Sequence, residues 1–114
     1  MMRQVQEALK NIGIPVIAGI WRAASPNQNP PVQYVVYSST TTETAFQDDR
    51  PVGYRTYVYL NLWCAGDPTD AIRRVRAAMR GAGFAMREEG DSYNDDTGQT
   101  LVAWTWVCWE EAEA

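Results

Sequence analysis

The sequence predicts an α+β domain: a mainly antiparallel sheet of four to five strands with two helices on one face, in the order α-β-β-β-α-β-β. Three features carry this reading. Two segments have the periodicity of amphipathic helices, several short runs are rich in β-branched and aromatic residues, and one run, PVGYRTYVYLNLWCA from Pro51 to Ala65, reads as a long strand without a polar face. On one side of that strand stand Tyr54, Thr56, Val58, Leu60, Leu62 and Cys64, and on the other Arg55, Tyr57, Tyr59, Asn61 and Trp63. A strand covered on one side alternates apolar with polar, because successive side chains point to opposite faces. Here the second face is aromatic. From Tyr54 to Cys64 the strand rises roughly 36 Å at about 3.3 Å per residue, longer than is usual. A sheet with two apolar faces is hard to cover with 114 residues, which points to a subunit of an assembly.

The elements follow in order. Residues 2–12 form a short helix with Val5, Ala8, Leu9 and Ile12 on one arc and Arg3, Glu7, Lys10 and Asn11 opposite. Gly13 stops it, and Ile14-Pro15 turns the backbone extended. Val16 to Trp21 reads as the first strand, and Ala24 to Pro31, ASPNQNPP, as a loop. The second strand runs from Gln33 to about Thr41 and fades into a polar Ser/Thr stretch. Residues 43–50, ETAFQDDR, connect it to the long strand as a protruding hairpin arm. Asp67-Pro68-Thr69-Asp70 starts a helix over 68–80: Asp67 can cap, Pro68 suits the first position, and Asp70 complements the dipole. Gly81 ends it. Residues 84–93 form a strand of weaker alternation, 94–98 a turn, Thr100 to Glu110 the last strand, and 110–114 an acidic, frayed tail.

Composition narrows the chemistry. The length suits one domain. No stretch approaches the roughly 20 apolar residues of a membrane helix, and no charged start with an apolar run reads as a signal peptide, so the expectation is a protein made inside a cell with no membrane partner. Cys64 and Cys108 could face each other on neighbouring strands, although two small buried thiols are the better reading in a reducing compartment. The net charge of −4 disfavours nonspecific binding to a phosphate backbone. With no histidine there is no imidazole base, no Ser-His or Cys-His pair and no His-ligated metal. Lys10 is the only lysine, and Gly81-Ala82-Gly83 follows a helix where a phosphate loop would open one. Only carboxylates remain as catalytic candidates, so the chain is expected to be neither an enzyme nor a holder of cofactor or metal.

Each remaining motif has an ordinary reading beside a functional one. Trp104 and Trp106 share a face with Val102 and Cys108, while Trp109 points with Leu101, Ala103, Thr105 and Val107. Packing against helices explains either face alone but not both, and large aromatics are enriched at interface centres. A platform for single-stranded nucleic acid is a lesser alternative given the acidic balance. Arg73, Arg76 and Arg80 form a stripe on the second helix, either a solvated face favoured by the dipole or an electrostatic contact with an acidic neighbour. The pairs Asp48-Asp49 and Glu88-Glu89 read as solvated charges; Glu88 and Glu89, as neighbours in a strand, point to opposite faces and would not converge on one cleft.

The run VQEALKNIGIPVIAGIW, then NPPVQYVVYS, then the polar connection ending in DDRPVGYRTYVYLNLWC, then a helix and two closing strands, resembles small tail-terminator or tail-completion (head-tail joining) proteins of long-tailed phages and prophages. The likeness covers nearly the whole chain in order of elements. It departs from the family pattern in Gln33, between Val32 and Tyr34, and in its tryptophan-rich last strand. The resemblance implies a structural virion subunit, assembled in the host bacterial cytoplasm and located in the tail or neck. Such a subunit forms a ring, commonly of six copies, that caps the tail tube, stops its polymerisation and offers a joining surface to the head-tail connector. Its partners would be itself, the tube protein and neck proteins, with DNA only passing through. The arm residues Phe46, Asp48, Asp49 and Arg50 are then expected to contact the tube or a neighbour, and Tyr57, Tyr59 and Trp63 to contact the next subunit. The alternatives are another neck or head-completion adaptor, and a stand-alone small ligand- or nucleic-acid-binding α+β module.

Overall fold

A computed structural model describes residues 2–19, 32–47 and 50–111, with Met2, 42–47, 50–52, 110 and 111 described by backbone alone. Its elements are α1 (Met2–Leu9), β1 (Val16–Ala18), β2 (Gln33–Gln47), β3 (Arg50–Ala65), α2 (Thr69–Gly81), β4 (Ala85–Asn94) and β5 (Gln99–Glu111). The five strands make one mixed sheet ordered β1-β2-β3-β5-β4. Strand order across the sheet therefore departs from chain order, because β5 inserts between β3 and β4.

Three pairings are antiparallel, but β1 runs parallel to β2, with Val16 opposite Val35 and Ala18 opposite Tyr37. The expectation of antiparallel neighbours is corrected here. Antiparallel strands can close through a tight turn, whereas a parallel return needs about a dozen residues, which the stretch between Ala18 and Gln33 supplies. The first strand ends at Ala18, with Gly19 at a positive φ of 81°, and the last two residues of the predicted strand, 20 and 21, and the predicted loop at 24–31 lie outside the described residues. Strand β2 runs on to Gln47 where a connection was expected, and pairs with β3 as far as Gln47 opposite Arg50. Asp48 and Asp49, between those paired ends, lie outside the described residues, as do residues 112–114 of the acidic tail.

Helix α1 is shorter than expected: Ile12 N–H reaches back to Leu9 C=O, and Gly13 takes a positive φ of 76°. Helix α2 begins as its sequence suggests. Ile72 N–H bonds to Pro68 C=O, while the Asp67 carboxylate accepts from both Thr69 N–H and Thr69 Oγ1. Those two hydrogen bonds hold the Asp67 carboxyl below its usual pKa. The helix end differs from expectation. Gly83, with φ 92°, is the left-handed residue, while Gly81 remains helical. Gly83 N–H bonds to Arg80 C=O and Phe84 N–H to Met79 C=O, the paired bonds of a Schellman ending, and buried Phe84 joins Met79 in the core.

The core lies between the helices and one sheet face. Val35 and Tyr37 of β2, Val58, Leu60, Leu62 and Cys64 of β3, and Val102, Trp104 and Trp106 of β5 meet Val5 and Leu9 of α1 and Ala71, Val75 and Met79 of α2. Gln6 donates to Tyr37 Oη at 2.7 Å, and Arg74 donates to Ile12 C=O at 3.1 Å while pairing with Asp70, so the helices are tied to sheet and turn. The two cysteines do not bridge each other: Cys64 lies opposite Thr100 and Cys108 opposite Thr56, separated along the sheet. Towards the arm, the same face turns polar where Thr41 and Thr56 hydroxyls meet at 2.9 Å. No helix among the described residues is long and apolar enough to cross a membrane.

Candidate functional site

The register divides the sheet as alternation requires. Tyr57 lies opposite Val107, Tyr59 opposite Thr105, Trp63 opposite Leu101 and Arg55 opposite Trp109, all turned from the helices. No described helix lies on this second face. Its exposure is graded. Tyr34 is 9% exposed and stacks on Trp63 with ring centroids 6.5 Å apart, whereas Tyr59 is 40% and Trp109 49% exposed. Burial raises the Tyr34 phenol pKa. The predicted contact residues Tyr57, Tyr59 and Trp63 thus share one face, with Trp63 at its shielded end and Tyr59 at its open end.

A polar cluster occupies the open end. Arg87 Nη1 donates to Tyr57 Oη at 3.0 Å, Arg55 Nη1 donates to the same oxygen at 3.5 Å, and the Arg87 guanidinium sits 5.3 Å from the Tyr57 ring centre. The Arg55 hydrogen bond, with the charges of both arginines, lowers the pKa of Tyr57. Arg55, Arg87, Trp109, Val107, Ala85 and Met86 line an open depression of about 660 Å³ that also touches Gly83. Among the described residues no carboxylate pairs with Arg55 or Arg87.

A bulge in β4 sets the contents of both faces. Met86 lies opposite Trp106, but Glu88, not Arg87, lies opposite Thr105, so Arg87 is the extra residue. Beyond it the alternation inverts. Glu88 falls on the second face, and Glu89, opposite Trp104, turns to the helix face. There Arg76 Nε donates to Glu89 Oε1 at 2.8 Å, Arg76 Nη2 closes a bidentate pair on Oε2, and the Trp104 indole N–H donates to Glu89 Oε1. The Arg76 hydrogen bond outweighs desolvation and holds the Glu89 carboxyl below its usual pKa, helped by Trp104 and by the charges of Arg76 and Arg80; the same pair raises Arg76.

The expected arginine stripe is therefore split. Arg76 clamps α2 to β4 and β5, while Arg73 and Arg80 are exposed. Glu89, expected to be a solvated charge, is instead an acceptor shared by two elements, its side chain 24% exposed. Glu88 and Glu89 do point to opposite faces, so they do not converge. In the expected arm, Phe46 and Arg50 lie on the hairpin backbone opposite Pro51 and Gln47, and Asp48 and Asp49 are outside the described residues. No group of three or more Cys, Asp or Glu among the described residues could hold a metal ion.

The sequence reading singled out neither Arg87 nor the pairing of Arg55 with Trp109 as part of a site. Alternation alone would turn Arg87 outward, but its meeting with Tyr57 requires β5 to lie between β3 and β4, a long-range fact. No protein-family model matches the chain, and a search of curated proteins finds no match either.

Proposed function

We propose that this chain is a structural subunit that works by assembling, with the geometry of a phage tail terminator: a ring of copies that caps a tail tube and offers a joining surface to the head. The observation that carries this reading is the second sheet face. It presents Tyr59, Trp109 and two arginines on a domain whose helices are already committed to the opposite face. Exposed aromatic patches rimmed by polar groups are characteristic of interaction surfaces. The elongated outline, 54 × 30 × 25 Å, and the β2–β3 hairpin that runs to Gln47 and Arg50 give the subunit a projecting element for a neighbour or a tube.

In this reading the mechanism is geometric. One rim of the ring matches the last tube ring, the other does not accept a further tube subunit, and growth stops by mismatch. DNA passes through the ring, and an acidic chain lets it slide without adhering.

Purified tail tubes give the test. Added protein should stop tube elongation and appear at one tube end in negative-stain images. Binding to the portal end of heads instead would move the reading to a head-side adaptor, and failure to bind either would overturn it.

A further inference from the structure

We infer that the depression at Arg55, Tyr57, Arg87 and Trp109 is a carboxylate-binding site for a second copy of this chain, filled by Asp48 and Asp49 of that copy's hairpin. This rests on the assembly reading above and names the contact it requires. The chemistry of the depression is that of an anion site with an apolar wall. Two guanidinium groups converge on one phenol oxygen, which accepts from both and keeps its own O–H to donate outward. Arginine forks bind carboxylates in a bidentate way, and the indole of Trp109 with Val107 and Ala85 excludes water from one side. The chain carries a net charge of −4, and no carboxylate among the described residues pairs with Arg55 or Arg87, so two guanidinium groups side by side mark a place suited to negative charge.

Charge complementarity selects the occupant. Asp48-Asp49 places two adjacent carboxylates between the paired residues Gln47 and Arg50, at the end of the longest hairpin. Two negative charges meet two positive ones. A short acidic tip matches a pair of arginines better than a phosphate backbone does, because a polyanion needs a continuous basic track.

The molecule cannot satisfy itself in this way. Arg55 and Arg50 are five residues apart on β3, roughly 17 Å at about 3.3 Å per residue. The strands stay paired to Gln47 and Arg50, so the residues that flank Asp48-Asp49 are held at that distance from Arg55 of the same copy. A contact joining the tip of one copy to the face of the next is heterologous, the kind that closes rings.

The test uses two full-length variants, Arg55→Glu with Arg87→Glu, and Asp48→Arg with Asp49→Arg. The substituted arginines are exposed, and circular dichroism and thermal melting verify that both variants fold. Each alone should lose assembly, with at least a tenfold rise in the concentration needed by light scattering. Mixed in equal amounts they should assemble again, because an acidic face then meets a basic tip and a basic face an acidic tip. Variants that assemble alone as well as wild type would overturn this contact and leave the assembly reading standing. Loss without recovery on mixing would also overturn it, as the arginines would then act on something other than the tip. A wild type that remains monomeric with and without tail tubes would overturn the assembly reading and the contact together.

Discussion

The two faces of the sheet are built from the same strands by the same alternation, yet they differ in what completes them. On the helix face, Val58, Leu60, Leu62, Val102 and Trp106 are buried by α1 and α2. On the other, Tyr57, Tyr59 and Trp109 stand among arginines with no described helix above them. Apolar surface removed from water contributes about 25 cal/mol per Å², so the covered face contributes most to the fold, and in the proposed assembly the open end of the second face is where a neighbour would add burial. In the proposed assembly, stability and association are separated by one residue step along β3.

That separation can be broken most severely at Leu60. Leu60→Ala leaves a cavity under the helices and should cost about 2–5 kcal/mol in urea denaturation. Its neighbour Tyr59, on the opposite face and 40% exposed, should behave differently: Tyr59→Ser should cost about 1–2 kcal/mol of monomer stability, less than Leu60→Ala, yet weaken assembly measured by light scattering, more so with Trp109→Ser. A large stability loss in both would erase the distinction between the faces.

The helix that covers the first face gives a finer test. Gly83→Ala forces a side chain into a left-handed backbone and should cost about 1–2 kcal/mol, whereas Gly81→Ala, inside the helix, should be neutral or stabilising by up to about 1 kcal/mol. Thermal melts of the two variants decide which glycine ends α2.

The smallest stability effect expected of a residue on the covered side is at Glu89. Glu89→Gln weakens the bonds to Arg76 and Trp104 and should cost about 1 kcal/mol at neutral pH, since Arg76 keeps contact with solvent. The pH dependence has a definite sign. Because the folded pKa of Glu89 is depressed, its contribution is full above the ordinary carboxyl pKa and disappears as pH falls through the folded value. Wild type and Glu89→Gln should therefore differ at neutral pH and converge in acid, as followed by urea melts across that range.

Much of this division was legible in the sequence, for a physical reason. The two side-chain sets of β3, and the grouping of Trp104 and Trp106 against Trp109, follow from period-two alternation, which a regular strand obeys. The helical arc of Ala71, Val75 and Met79 was equally visible from its period. What escaped is what a local pattern does not encode. The direction of β1 depends on a connection long enough for either sense. The bulge at Arg87 adds one residue without a compositional signal, and so exchanges the faces of Glu88 and Glu89. In Gly81-Ala82-Gly83, the choice of terminating glycine is set by the burial of Phe84, which closes the turn against Met79. For the candidate site, alternation placed Tyr57 and Tyr59 together, whereas the approach of Arg87 to Tyr57 depended on the insertion of β5.

Absolute mass in solution across a wide concentration range, by light scattering after size exclusion and repeated with purified tail tubes, tests the central claim most directly. The account predicts a closed ring of copies, formed alone or on the tubes, that is weakened by changes at Tyr59 and Trp109. A monomer at every concentration, unaltered by tubes, would contradict it.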